Sequence, residues 1–355
     1  MKRKKILYAL VGVGAGNATR TQAILDELAL EKFEIRFLAQ GRAYDLLHSR
    51  FHTYRLHEIT YSRGEYSPAS IVRQNYAFPI RVWQNIRRAA QILDEFAPDV
   101  VIADSDFFCL YPARRRRIPV ISVNSSAATV HKFRAYRRTP SDCFFSYHVI
   151  ERVDYLLQRA FATMVVTPVF SRIEGLGGKF KMVNPIVRRS FLQSPPRNPD
   201  TRFDYDAVVM FGGSGIGAKD LDFTRYGGRL LVLGQTGRLK LPSQAETVGF
   251  EPDPARYLAR ARIAVVQGGF NSISELLALR IPAVMVPIQG HAEQFTNAVW
   301  AERLGLGLVS TPEHVVHAMR RIEVNYEQFA ARARALDIRC DGACQAARLI
   351  EEFLA

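Results

Sequence analysis

Cysteine is scarce in this chain of 355 residues, and the four present (Cys109, Cys143, Cys340, Cys344) match no zinc or redox spacing. Ordinary reduced thiols are the expectation. No apolar run approaches the roughly 20 residues needed to span a bilayer. The start, MKRKKILYALVGVGAGNATR, has a basic end and a short apolar stretch, as a signal peptide does. It runs straight into a glycine loop without a small-residue cleavage site, and so reads as the first strand of a cytoplasmic enzyme. The loop itself, Gly12 to Arg20, lacks the third glycine of a dinucleotide fingerprint, because Asn17 stands there. An acid at the end of the second strand is also missing, since Gln40 follows Ala39. No G-x-x-x-x-G-K-[S/T] occurs. A nicotinamide or flavin site at the N-terminus is therefore not expected, and the chain does not read as a P-loop NTPase.

What the chain has is apolar mass, at 48% with 11% aromatic, and a net charge of +14. Such a composition builds packed cores, and the length favours two domains. The charge is lopsided: residues 1–195 hold 30 Lys and Arg against 16 Asp and Glu, while residues 196–355 hold 18 of each. The run Arg114–Arg117 and the cluster Lys132, Arg134, Arg137, Arg138 lie in the basic half. This asymmetry points to one half meeting an anionic surface or substrate, against the plain alternative of a solvated basic face.

Both halves repeat one theme of apolar strand, glycine turn and amphipathic helix. In the first half, Lys5–Val11, Glu34–Ala39, VVIAD (100–104) and VISVN (120–124) read as strands, with a helix over Thr19–Leu30. In the second half AVVMFGGSG, RLLVLG, ARIAVVQGG and IPAVMVP repeat the form. Strands alternating with helices predict an α/β fold with parallel sheets. Asn184–Tyr205, with four prolines, reads as a linker, and Val315–Leu336 and Asp341–Leu354 as helices. The expected organisation is an N-terminal Rossmann-like domain over 1–190, a linker over 191–204, a second such domain over 205–340 and a closing helix over 341–355. The cleft between two such domains is the expected site.

Asp104-Ser105-Asp106 has the D-x-D form that holds a divalent metal, but no second ligand cluster follows, so no metal is expected. Gly212-Gly213-Ser214-Gly215 and Gly268-Gly269-Phe270-Asn271-Ser272 each follow an apolar strand where a helix begins, so free amides there suit a diphosphate. Glu275, one turn further on, either complements the helix dipole or accepts ribose hydroxyls.

Val265–Ala298, VVQGGFNSISELLALRIPAVMVPIQGHAEQFTNA, resembles the donor-binding segment of GT-B glycosyltransferases. The nearest groups are the bacterial lipid-linked peptidoglycan-precursor N-acetylglucosaminyltransferases and the UDP-glycosyltransferases. FAPDVVIADSD, RIPVISVNSS and VNPIVRR extend the likeness, which is loosest around 51–97 and 131–159. The resemblance implies two facing Rossmann-like domains, the C-terminal one binding a nucleotide-diphosphate sugar, chiefly a UDP-sugar, with no separate cofactor. It places Ser214, Gln267, Gly268, Gly269, Asn271 and Ser272 at the donor diphosphate. Phe250 and Glu275 then belong to the nucleoside, and Glu293, Gln294, Asn297 and the adjoining His291 to the donor sugar. A carboxylate beside an amide suits sugar hydroxyls, since one accepts and the other also donates.

The resemblance further implies an inverting, metal-independent transfer, in which a base deprotonates the acceptor hydroxyl. Many relatives carry histidine where Gln267 stands, and the first loop commonly presents a catalytic histidine where Asn17 stands. An amide is no general base near neutral pH. Gly14, Gly16 and Asn17 are therefore expected to line the acceptor side, with Asp104 the first candidate base and Asp106 and His131 next. An acceptor that is already anionic would need none. The basic half is expected to meet an acceptor that is anionic or lipid-linked, with peripheral contact at the inner membrane face; nucleic acid is not an expected partner. Two rivals stand beside this reading: a nucleotide-sugar hydrolase on the same fold, and a non-catalytic protein that binds a polyanion or another partner.

Overall fold

The computed structural model describes residues 3–11, 16–58, 78–136, 139–195, 202–211, 221–234 and 239–355. Seven strands form the first sheet: β1 (Lys4–Leu10), β2 (Phe33–Ala39), β3 (Thr53–Arg55), β4 (Val100–Asp104), β5 (Val120–Val123), β6 (Met164–Pro168) and β7 (Phe180–Val183). Their order is β3-β2-β1-β4-β5-β6-β7, and every pair is parallel. The second sheet holds β8 (Tyr205–Met210), β9 (Leu230–Leu233), β10 (Glu246–Val248), β11 (Ala261–Val266), β12 (Ala283–Met285) and β13 (Gly307–Val309). Its order, β10-β9-β8-β11-β12-β13, is again wholly parallel. The two-domain Rossmann-like architecture of a GT-B fold is thus present.

The apolar runs explain the sheets. Strands β4 and β5 are buried at every position, because helices cover both faces. The helices used below are α1 (Gly16–Leu25), α2 (Gly41–Leu47), α3 (Phe78–Phe96), α4 (Leu110–Arg115), α5 (Ser126–Ala135), α6 (Arg152–Phe161), α7 (Phe270–Leu279), α8 (Ala292–Leu304), α9 (Val315–Val324), α10 (Tyr326–Ala335) and α11 (Gly342–Leu354). Two of them differ from the sequence pattern. The helix expected over Thr19–Leu30 starts at Gly16 and ends at Leu25. The long helix expected over Val315–Leu336 breaks at Asn325, whose backbone (φ −109°, ψ 29°) leaves the helical region.

The chain crosses back at its end. Ala343, Ala346, Ala347 and Ile350 of α11 pack into the first sheet's core with Ile6, Ile24 and Ile102. Between the sheets, the Phe170 ring stacks on Phe270 at 4.2 Å and meets Trp300 at 5.0 Å, so one apolar cluster bridges both halves. In each sheet the strand order reverses beside the first strand, at β1/β4 and at β8/β11. Ligands of open parallel sheets bind outside the carboxyl ends of the strands at such switch points.

Candidate active site

Gly16, at the start of α1, meets the helix start after β11 across the cleft. Asn271 Nδ2 donates to the carbonyl of Gly16 at 2.6 Å. Gly269, in extended conformation (φ −65°, ψ 133°), caps the start of α7, so the first-turn amides of Asn271 and Ser272 stand at a positive helix end. His291 caps α8, with Glu293 and Gln294 in its first turn. The two helix starts are pressed together. Asn297 Nδ2 donates to Gly268 O at 3.2 Å, and a Cβ on Gly268 would lie 2.1 Å from Gln294 O. Only glycine fits there, which gives that residue of the turn a packing reason. Gln294 Oε1 accepts from Ile288 N at 3.0 Å, holding the loop before α8. Gln267 is buried at the end of β11.

Glu275 is buried in the second turn of α7, and Arg188 supplies its partner. Arg188 Nε and Nη2 donate to Glu275 Oε1 at 2.9 and 2.6 Å, and neither contact uses Oε2. Burial raises the Glu275 carboxyl above its ordinary value, while Arg188 pulls it back. Arg188 also donates to Pro252 O. Phe250 is exposed beyond β10, with the Arg42 guanidinium of α2 5.0 Å from its ring centroid.

On the first domain's side the two expected aspartates are engaged with scaffold partners. Asp104 is 0% exposed and forms an ion pair with Arg20 through Nη2, with Arg20 Nε at 3.1 Å and Thr21 Oγ1 at 3.2 Å. A carboxylate so enclosed and neutralised has no open face toward an acceptor, which corrects the expectation that placed it first. Ser105, between the two aspartates, takes a left-handed backbone (φ 53°). Asp106 Oδ2 accepts from Cys109 N at 2.9 Å, which holds the turn ahead of α4. Burial pushes Asp106 up to about 6. His131 Nδ1 lies 2.8 Å from Ala127 O on its own helix, so this nitrogen carries the proton. Asn17 braces its loop: Nδ2 donates to Val11 O at 3.1 Å and Oδ1 accepts from Arg20 Nη2 at 3.3 Å. Gly14, Ser214, Arg137 and Arg138 lie outside the described residues.

Three residues without a motif join the site. Ser125 Oγ, at the end of β5, donates to Glu293 Oε1 at 3.1 Å across the cleft. Arg188 lies in the segment that reads as a linker. Glu151 ends a π-helical turn, Ser146–Glu151, ahead of α6. Ligand-type atoms of Glu151, His291 and Glu293 lie within 4.8 Å of one another. Burial lowers the His291 imidazole and raises Glu151 well above the usual carboxyl range, the latter helped by Glu293 and Asp154.

Two parallel sheets facing across a cleft, with paired helix starts and a buried carboxylate on one side, make up the two-domain Rossmann-like scaffold of a GT-B transferase. The chain belongs to glycosyl transferase family 1, whose model matches residues 4–323. It is 24% identical to an uncharacterized glycosyltransferase of Methanosarcina acetivorans, covering 98% of this chain and 96% of that one. It is 26% identical to the UDP-N-acetylglucosamine--N-acetylmuramyl-(pentapeptide) pyrophosphoryl-undecaprenol N-acetylglucosamine transferase of Mycobacterium sp. (strain KMS), over 86% of this chain and 82% of that one. Among solved structures, LpCGTa in complex with UDP superposes with a TM-score of 0.67 at 14% identity, covering 99% of this chain and 100% of that one. The chain is a GT-B glycosyltransferase.

Proposed function

We propose that the donor is a nucleotide-diphosphate sugar, UDP-linked, and that the sugar passes to its acceptor with inversion and without a required metal. The observation that carries this is the pairing of two helix starts, α7 and α8, with the buried Glu275 one turn behind the first. The amides at the start of α7 suit the leaving diphosphate, whose charge grows as the glycosidic bond breaks. Arg188 holds Glu275 Oε1 fixed, and Oε2 is the oxygen that accepts from the ribose. Glu293 and Gln294 grip the sugar hydroxyls. The donor in the mycobacterial relative's name and the UDP in the solved neighbour agree with this reading.

Calorimetric titration with UDP-, dTDP- and GDP-sugars, without added metal, tests it. One donor is expected to bind at micromolar affinity, and Glu275→Ala to weaken it about 10- to 100-fold, or roughly 1.4–2.8 kcal/mol. No binding by any of them refutes the donor reading.

The acceptor side points to an anionic surface. Ile80 and Trp83 of α3 are 60% and 56% exposed, and the Arg87 guanidinium lies 4.5 Å from the Trp83 ring centroid. Exposed apolar side chains beside an arginine suit the headgroup boundary of an anionic bilayer, where each cation adds about 1 kcal/mol. We read this as peripheral contact that brings a lipid-linked acceptor to the cleft. No helix among the described residues is long and apolar enough to cross a membrane.

A further inference from the structure

The reaction as proposed needs a group to take the acceptor's proton. Asp104 is neutralised by Arg20, Asp106 accepts from the Cys109 amide and Asn17 is an amide, while His131, bonded through Nδ1 along its own helix, keeps Nε2 as an acceptor. Another carboxylate stands at the donor-sugar end of the cleft. Glu151 is 7% exposed, and its carboxyl lies beside His291 and Glu293. Its neighbour Asp154 is engaged on its own domain, since it accepts from Asn124 Nδ2 at 2.8 Å and Gln158 Nε2 at 3.0 Å. A buried carboxylate set beside like charge costs stability, so its persistence calls for a use.

The local backbone aims it. The turn Ser146–Glu151 is π-helical, a rare local winding that recurs at functional sites. Ser146 at its start fastens the turn to the opposite domain: its Oγ donates to Gly290 O at 2.6 Å and accepts from Ala292 N at 2.9 Å. The same few residues, Gly290 to Glu293, carry His291 and the sugar-gripping Glu293. Glu151 is thereby held from the acceptor domain against the donor-sugar end of the cleft, with its ligand-type atom within 4.8 Å of those of His291 and Glu293.

We propose that Glu151 is the catalytic base of this transferase, an inference that rests on the donor reading above. The acceptor hydroxyl gives its proton to a Glu151 carboxylate oxygen. The acceptor oxygen forms a bond to the anomeric carbon, and the bond from that carbon to the diphosphate oxygen breaks. The bonding pair leaves on the nucleoside diphosphate, at the start of α7. Glu151 returns its proton to water once products depart.

Burial, then the nearby negative charges of Glu293 and Asp154, lift Glu151 toward the range in which a carboxylate is an effective base. The groups facing it are Glu293 and His291 from the opposite domain and Asp154 from its own helix. The cations of α5 are turned elsewhere, Lys132 over the Trp300 ring and Arg134 onto Tyr147 Oη. Protonated Glu151 cannot accept, so the rate falls as pH drops through its ionisation.

The test measures UDP release from UDP-N-acetylglucosamine, with water and glycerol as acceptors, alongside UDP binding by calorimetry. Glu151→Gln is expected to lower kcat by about 10²–10⁴, to leave the UDP Kd within twofold, and to abolish the acid limb of the pH profile. Glu151→Asp is expected to keep that limb, and formate is expected to rescue Glu151→Ala. Unchanged turnover in Glu151→Gln, with UDP still bound, overturns the assignment and leaves the donor reading intact. A matched loss of turnover and UDP affinity makes the residue structural and overturns it as well. Wild-type activity abolished by EDTA and restored by Mn²⁺ would make the Glu151, His291 and Glu293 group a cation site instead. A wild-type protein that binds no UDP fails at the earlier step, and both readings fall.

Discussion

Replacing Gly268 by alanine puts the packing of the donor site to a direct test. The added Cβ would lie 2.1 Å from the Gln294 carbonyl oxygen, 2.6 Å from its carbon and 2.9 Å from Gln294 Cα. These are backbone atoms at the start of α8, so no side chain can swing away. The two turns must part by more than about 1 Å, which for overpacking of this kind costs roughly 1–3 kcal/mol. Separation also breaks the bond from Asn297 Nδ2 to Gly268 O, worth about another 1 kcal/mol for a buried amide. At about 2–4 °C per kcal/mol, the melting temperature is expected to fall by on the order of 10 °C. The amides at the start of α7 move with the turn, so UDP affinity should fall at least about tenfold. Gly269→Ala is the matched control. Its Cβ would meet nothing closer than Ser272 Oγ at 3.9 Å, and its φ of −65° suits any residue. That variant is expected to melt within about 3 °C of the wild type, in line with a cost below about 1 kcal/mol at a cap. Calorimetric melting of all three proteins, with and without UDP, decides the matter. Equal melting temperatures for the two alanine variants would refute the packing argument.

Two further predictions concern buried carboxylates in the first domain. Arg20→Met leaves Asp104 buried without its cation, and urea unfolding at pH 7 should show a loss of about 3–5 kcal/mol. Much of that loss should be recovered in the double variant Arg20→Met/Asp104→Asn, and a double variant as weak as the single one would count against the ion pair as the cause. Asp106 has a folded-state pKa of about 6 against an ordinary 3.8, so the native state holds the proton more tightly than the unfolded chain. Stability from this group therefore falls as pH rises from about 4 to about 6, by about 3 kcal/mol for a shift of roughly two units. The amide oxygen introduced by Asp106→Asn can still accept from Cys109 N, and unfolding curves across that window should show the slope reduced by this amount. Parallel curves for the two proteins would mean that Asp106 does not titrate there.

The parts of the molecule legible in sequence are those where backbone geometry restricts residue type over a short span. Strands buried on both faces leave unbroken apolar runs such as VVIAD, and turns pressed against another helix leave glycine at Gly268. Edge strands β3 and β10, three residues each, leave no such run and carry no comparable signal. The break at Asn325 is equally silent, because the apolar spacing continues on either side of it.

Long-range pairing explains what spacing could not reveal about the site. Arg20 and Asp104 are 84 residues apart, Arg188 and Glu275 are 87 apart, and no local pattern links either pair. In sequence, Asp104 therefore resembles a free acid at a strand end, and Arg188 part of a linker. Once partners are assigned, the logic of the cleft inverts. Asp104, which stands out in sequence, is neutralised by Arg20 and serves the scaffold, while Glu151, in a stretch without motif, is the buried carboxylate at the donor-sugar end of the cleft. A folded chain tolerates few buried carboxylates set beside like charge, since each costs more than a neutralised one. The placement of Glu151 against His291 and Glu293, legible only in three dimensions, is thus the observation that separates it from the structural carboxylates here.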